Sequence, residues 1–275
     1  MARILVVNPN TSEEATERIA LVAGPSARWS TVDVVNVDYG PRYIEGEVDE
    51  IVAAHAVAET VARTASAYDA FVVACFSDPG LRAAREVARK PVVGIAEAAF
   101  LVARGLGAAF SLLSNAPEDE PIFRRLARSY GHGDLLLSVR STGTSVGEFA
   151  RQDPKAYPSL LAAGRLAVAD GAGAVGLACA GMCGYAAPLA EELGIPVLDG
   201  VACGVALAEL YLQLGVTPPW APVFAPGRRR DYKGGFGSDL EKLYNGDFWG
   251  RSRRGRLRHY PLDPLDLAWA TLDLA

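Results

Sequence analysis

The sequence has few lysines, few cysteines, few histidines and no long apolar run, and each shortage excludes a class of function. Lys90, Lys155, Lys233 and Lys242 are its four lysines, so Schiff-base chemistry has few candidates. Cys75, Cys179, Cys183 and Cys203 are too few and too scattered for a disulfide-dense secreted domain. None forms a Cys-x-x-Cys pair, and Cys179-x3-Cys183 has no second pair nearby, so structural zinc is not expected. His55, His132 and His259 lie in unrelated segments without metal-ligand spacing. No apolar stretch reaches the roughly 18–20 residues that span a bilayer. No leader peptide is expected ahead of the apolar segment Ile4–Val7. A reduced, cytoplasmic chain with no membrane partner is therefore expected.

Positive charge is also short: 27 basic residues face 32 acidic ones, a net charge of −5, which argues against nucleic acid as a partner. What the 275 residues do hold is apolar mass. Half are hydrophobic and 21% are charged, enough for a large core or two modest ones and too apolar for general disorder.

Short apolar runs alternate with helical patterns from the start. Arg3–Val7 reads as a strand, followed by a helix that Thr11 or Ser12 caps, with Glu13 and Glu14 in its first turn. Strands are predicted at Val32–Val37, Ala70–Ala74, Pro91–Ile95, Ala109–Leu113, Leu135–Val139, Ala174–Ala178 and Ile195–Leu198. Helices are predicted at Asp49–Ala67, Leu81–Ala88, Glu97–Ala103, Glu120–Ser129, Tyr157–Asp170, Ala186–Leu193 and Val201–Leu214. Such alternation implies an α/β fold of parallel, helix-covered sheets, with ligands bound at the carboxyl ends of the strands. Beyond Pro218, Pro, Gly and Arg accumulate, periodicity fails, and an irregular C-terminal extension is expected. Its basic run at Arg251–Arg258 is expected to be solvated or to bridge subunits of a homo-oligomer, given the acidic total.

The two halves repeat each other. Ala70-Phe-Val-Val-Ala-Cys75 matches Ala174-Val-Gly-Leu-Ala-Cys179, and the two cysteines stand 104 residues apart. Pro91-Val-Val-Gly94 matches Pro196-Val-Leu-Asp199 at an offset of 105, and Val6-Val7-Asn8 matches Leu112-Leu113-Ser114 at 106. Near-constant register over a hundred residues points to duplication. The expected architecture is two lobes related by a pseudo-two-fold, 1–104 and 105–216, with an extension over 217–275. The helix near 201–214 is available to complete the first lobe.

Duplication places equivalent loops face to face across one cleft. Cys75 and Cys179 occupy those loops, each after a buried strand and before a helix, where backbone N–H groups favour a thiolate. Two thiols on opposite sides of one carbon suit a two-base proton exchange: one removes the proton and the other supplies one to the opposite face. A thiol lowered from about 8.5 toward neutrality would leave one partner ionised and the other protonated. Cys183 and Cys203, without matched positions, are expected as packing residues. Gly105-Leu-Gly107 opens a strand, whereas a dinucleotide fingerprint would follow one.

Five motifs carry a resemblance to a known family: Ile4-Leu-Val-Val-Asn-Pro-Asn-Thr-Ser12, Cys75-Phe-Ser-Asp-Pro-Gly-Leu81, Pro91-Val-Val-Gly-Ile-Ala-Glu-Ala98, Cys179-Ala-Gly-Met182 and Ile195-Pro-Val-Leu-Asp-Gly-Val201. From residue 4 to about 215 the chain resembles the Asp/Glu/hydantoin racemase superfamily, most closely its hydantoin and allantoin racemase branch. The resemblance implies cofactor-independent racemisation or epimerisation of a small molecule beside a carbonyl, with Cys75 and Cys179 as the acid/base pair. It implies a substrate pocket made by Asn8, Asn10, Ser77, Asp78, Ser114 and the amides of Ala180 and Gly181. Amino-acid racemases of the superfamily carry Cys-Asn-Thr at the first cysteine. Phe76-Ser77 stands there instead and favours a ring amide with an apolar substituent, such as a 5-substituted hydantoin or allantoin. Ala178 replaces the usual glycine, and Cys183 and Tyr185 stand in a loop that normally lacks them. Amino-acid racemisation, a maleate-isomerase-like or arylmalonate-decarboxylase-like reaction, and a non-catalytic small-molecule-binding module are the alternatives.

Overall fold

Continuous apolar runs in the inner strands, buried on both sides, decide how the layers stack in the computed structural model, which describes residues 1–218. The first half runs β1 (Ala2–Asn8), α1 (Glu13–Ser26), β2 (Ser30–Asn36), α2 (Glu47–Thr64), β3 (Ala70–Val73), α3 (Leu81–Ala88), β4 (Val92–Gly94) and α4 (Ile95–Gly105). The second runs β5 (Phe110–Ser114), α5 (Asp119–Ser129), β6 (Leu136–Ser141), α6 (Val146–Ala150), α7 (Ala156–Ala169), β7 (Ala174–Leu177), α8 (Ala186–Leu193), β8 (Val197–Asp199) and α9 (Gly200–Leu214). A 3-10 turn, Ala180–Met182, follows β7.

Two four-stranded sheets result, ordered β2-β1-β3-β4 and β6-β5-β7-β8. Every pairing is parallel. The sheets therefore repeat one topology at equivalent places in the chain. Ile4, Val6 and Val72 of the first sheet and Leu112 and Ala174 of the second join one core with Ile19 of α1, Phe100 of α4 and Val205 of α9. The alternate residues Leu5, Val7, Phe71 and Val73 pack on α2 and α3. Leu113, Val175 and Leu177 do the same with α7 and α8. Period two puts successive side chains on opposite faces, so a strand apolar at every position must be covered on both. The part of the expected extension beyond Pro218 lies outside the described residues, as do the Arg251–Arg258 run and His259.

Helix starts differ instructively from the sequence reading. Ser12, not Thr11, caps α1: its Oγ accepts from Ala15 N at 3.1 Å. α2 begins two residues before the expected Asp49, with Glu47, Asp49 and Glu50 in its first turn, where the helix dipole favours acids. α4 begins at Ile95, a residue expected to end β4. Its cap comes from across the sheet: Asp78 accepts from Ala96 N at 3.1 Å and Glu97 N at 2.9 Å. The equivalent helix α9 is capped by Asp199 itself, which accepts from Val201 N and Ala202 N and also holds Gly184 N.

Glu209 of α9 fastens the last helix to the turn before β2. Its buried carboxylate accepts from Arg28 N, Trp29 N and Ser30 N at 2.8–3.1 Å. Burial alone would raise its pKa, but these N–H donors win and hold it below the usual glutamate value. Glu209→Ala should cost about 2–4 kcal/mol, because three backbone donors lose their acceptor. Urea unfolding at pH 7 checks this, and Glu209→Gln, which keeps one oxygen, should lose less. The charged form contributes stability above the unfolded-state pKa, and that contribution is lost as pH falls through the depressed folded-state value. The gap between wild type and Gln should therefore close in acid.

Candidate active site

Loops at the carboxyl ends of six strands, β1, β2, β3, β5, β6 and β7, line a cavity of about 450 Å³, a size suited to a small molecule. β1 delivers Asn8 and Asn10, β3 delivers Cys75, Phe76 and Ser77, β5 delivers Asn115–Asp119, and β7 delivers Cys179, Ala180 and Gly181. Both sequence-matched cysteines thus line one cavity. Ala178, the departure from the family pattern, lines it as well, as does the start of α2 through Gly46 and Glu50.

The two thiols are held alike. Cys75 receives the backbone N–H of Ser77, and Cys179 receives that of Gly181, in each case two residues onward. Ser77 Oγ also lies 3.5 Å from Cys75 Sγ. Space beside Gly181 is tight: a Cβ there would stand 3.3 Å from Phe149 Cβ and at ordinary contact distance, 3.5 Å, from Cys179 Sγ.

The electrostatics reverse the sequence expectation of a thiol lowered toward neutrality. Burial pushes Cys75 up to about 11 and Cys179 up to about 12, and the N–H contacts only moderate the rise. Negative charge on Cys75 raises Cys179 further, so ionisation of one thiol opposes ionisation of the other. Desolvation is the largest cause at both sulfurs, and nearby negative charge adds to it, from Glu50 and Asp78 at Cys75 and from Asp119 at Cys179.

Not all predicted pocket residues face the cavity. Asn8, Asn10, Ser77, Ala180 and Gly181 line it; Asp78 and Ser114 do not. Asp78 is buried, caps α4 and accepts from Tyr130 Oη at 2.8 Å. Burial pushes its carboxyl up to about 7 against the lowering pull of the Glu97 N–H, the Tyr130 hydroxyl and the Ala96 N–H. Ser114 Oγ donates to Ala116 O at 3.1 Å and so shapes the β5 loop. Asn8 spends its amide on the loop too, donating to Asn10 Oδ1 at 2.9 Å and Thr16 Oγ1 at 3.0 Å. Cys183 is buried, donates to Arg18 O and lies outside the cavity lining, so this unusual residue ties its loop to α1.

The sequence reading missed the β2–α2 connection with Glu50, the β5 loop from Asn115 to Asp119, and the wall after β6. Gly143, Thr144, Ser145 and Val146 line the cavity ahead of the short helix α6. Its signal was present: Ser145 and Glu148 form a capping box, Ser-x-x-Glu, in which Glu148 accepts from Ser145 N at 2.8 Å. Five residues are too short for periodicity to show. Among the described residues no cluster of three or more His, Cys, Asp or Glu is arranged to hold a metal ion. No described helix is long and apolar enough to cross a membrane.

Known proteins resemble this chain in sequence and fold. Hydantoin racemase of Pseudomonas sp. (strain NS671) is 38% identical over 235 residues, which are 84% of this chain and 94% of that protein. Allantoin racemase from Klebsiella pneumoniae superposes with a TM-score of 0.84 at 33% identity, over 87% of this chain and 99% of its own. Allantoin racemase from Pseudomonas fluorescens gives 0.81 at 30% identity, over 84% and 100%. The family model described as Asp/Glu/Hydantoin racemase matches residues 4–208, most of the chain. The chain belongs to the Asp/Glu/hydantoin racemase family.

Proposed function

We propose that this isomerase racemises a hydantoin-like cyclic ureide, a 5-substituted hydantoin or allantoin, by proton exchange between Cys75 and Cys179 at the substrate Cα. The observation that carries the reading is the pairing of two equivalent thiols, each at the end of an equivalent strand, on one cavity. One thiolate removes the Cα proton, and the electron pair moves onto the ring carbonyl oxygen. The other thiol delivers a proton to the opposite face. Backbone N–H groups beyond the cysteines are suited to the oxygen charge, each worth a few kcal/mol when aligned.

The lining favours a neutral ring over a free amino acid. Acidic Glu45, Glu50, Glu118 and Asp119 line the cavity, and its described lining includes no Lys, Arg or His. A carboxylate substrate would enter against like charge without a cation to hold it. Ile19, Ile122 and Phe123 offer an apolar wall for a ring substituent. In this reading Asn10, Ser77 and the Ala180-Gly181 segment contact substrate, while Asp78 and Ser114 brace the loops. The relatives named hydantoin racemase and allantoin racemase support the same class.

Polarimetry with enantiopure 5-substituted hydantoins, allantoin, aspartate and glutamate tests it. Loss of rotation is expected with a hydantoin or allantoin and not with either amino acid. Rotation lost with aspartate or glutamate alone would overturn the assignment.

A further inference from the structure

Glu50 is an acidic group in the cavity wall that two-thiol exchange leaves without a task. It stands in the first turn of α2 and lines the cavity together with Ser77 and Cys75, and the Ser77 hydroxyl stabilises its charge. Ser77 Oγ in turn lies 3.5 Å from Cys75 Sγ. A hydroxyl has one proton to donate and lone pairs to accept with, so this order permits a chain from thiol to hydroxyl to carboxylate. Cys179 has a backbone N–H at the equivalent place, and its following residues, Ala180 and Gly181, carry no hydroxyl. The duplicated sites are therefore unequal.

We propose that Glu50 is a positioning residue for the Cys75 proton, receiving it through Ser77 so that Cys75 becomes a thiolate without a net change in charge. The proposal rests on the two-thiol reading and deepens it. The Cys75 S–H proton passes to Ser77 Oγ as the Ser77 O–H proton passes to Glu50, leaving thiolate, hydroxyl and carboxylic acid. The thiolate then takes the substrate Cα proton, and Cys179 gives its proton to the other face. Afterwards Glu50 releases its proton to solvent and Cys179 takes one back, so protons balance.

Charge is the reason such a group is needed. A fixed carboxylate beside Cys75 opposes thiolate formation, and burial opposes it more. Burial likewise raises Glu50, which brings its proton affinity closer to that of the thiol. Moving the proton between them exchanges one buried anion for another, whereas loss of the proton to water would create two. Other groups facing Glu50 are Glu47 on its own helix, which raises it, and Arg125 of α5, which lowers it.

The consequence is a difference in pH dependence between the two thiols. Deuterium uptake at Cα in D2O is measured for each enantiomer with Cys179→Ser, where Cys75 alone exchanges, and with Cys75→Ser, where Cys179 alone does. Exchange by Cys179→Ser should be level with pH above the Glu50 pKa until Glu50 ionises beside a Cys75 thiolate, because up to that point the reactive and resting forms hold the same number of protons. Exchange by Cys75→Ser should rise about tenfold per pH unit, because its thiolate must lose a proton to water. Adding Glu50→Gln to Cys179→Ser should slow exchange at pH 7 by roughly 10- to 100-fold and convert the level profile to the rising one. Adding Ser77→Ala should likewise convert the level profile to the rising one, and adding Glu50→Gln to that variant should change the profile no further.

Exchange that is unchanged or faster in the Glu50→Gln background overturns the relay. Speeding is what a merely repelling charge predicts, because its removal would favour the thiolate. Absence of exchange in both single-cysteine variants instead overturns the two-thiol reading itself.

Discussion

Cys75→Ser and Cys179→Ser should each lower racemisation by roughly 10²- to 10⁴-fold, the range expected when one positioned acid or base is lost. A serine hydroxyl is far less acidic than a thiol and supplies neither a base nor a ready donor near neutral pH. The two losses should differ in kind. Each variant retains one thiol, on one face of the substrate, so each should exchange deuterium into one enantiomer without inverting it. The favoured enantiomer should be opposite in the two variants. Chiral separation with mass detection of deuterium reads both quantities at once. Full racemisation surviving in either variant would refute two-thiol catalysis. Loss through misfolding would show as a changed unfolding midpoint, whereas one-sided exchange requires an intact cavity.

Gly94→Ala should destabilise the fold by about 2–5 kcal/mol and weaken catalysis with it. Overpacking of a buried site costs about 1–3 kcal/mol, and displaced buried hydrogen bonds add a similar amount. A Cβ at Gly94 would fall 2.2 Å from Asp78 Cγ and within 2.4 Å of both carboxylate oxygens. That carboxylate is clasped by Ala96 N, Glu97 N and Tyr130 Oη, so it has nowhere to move without releasing the start of α4. Asp78 also sits three residues after Cys75, in the loop that presents the thiol. A double-mutant cycle in urea separates the causes: in an Asp78→Ala background the added methyl should cost much less. Equal cost in both backgrounds would mean that the clash lies elsewhere. Asp78, raised to about 7 from an ordinary 3.8, holds its proton in the folded state where the unfolded chain has lost it. This contribution is full below pH 3.8 and lost as pH rises toward 7, and Asp78→Asn should remove that slope.

The comparison of Gly94 with Asp199 shows why some structure was legible and some was not. Periodicity revealed the strands because Ile4–Val7 and Ala174–Leu177 are apolar on both faces, and a parallel sheet needs that. The chain offered Thr11 or Ser12 as the cap of α1, since both adjoin that helix, and folding chose Ser12. It placed the start of α9 within one residue, where the cap Asp199 adjoins the helix. It misplaced the start of α4 because that cap is Asp78, nearly twenty residues earlier in sequence, with glycine at the local cap position to admit it. Asp78 therefore reads as a ligand contact next to Cys75 until folding shows its oxygens turned to α4. The α6 wall escaped for another reason: one turn of helix carries a cap but no period.

Register alone was enough to pair the two cysteines on which the proposed mechanism rests. Two cysteines stand about one repeat apart, each closing an equivalent strand, and equivalent strands in duplicated sheets must present their loops at equivalent ends. The tertiary structure decided what surrounds the thiols. Burial depends on all the layers packed about a sulfur, and no neighbour in sequence reports it. So the chain could pair two cysteines at equivalent strand ends, while only the folded cavity raised both thiols by burial and placed Ser77 beside Cys75, with Glu50 in the same cavity wall.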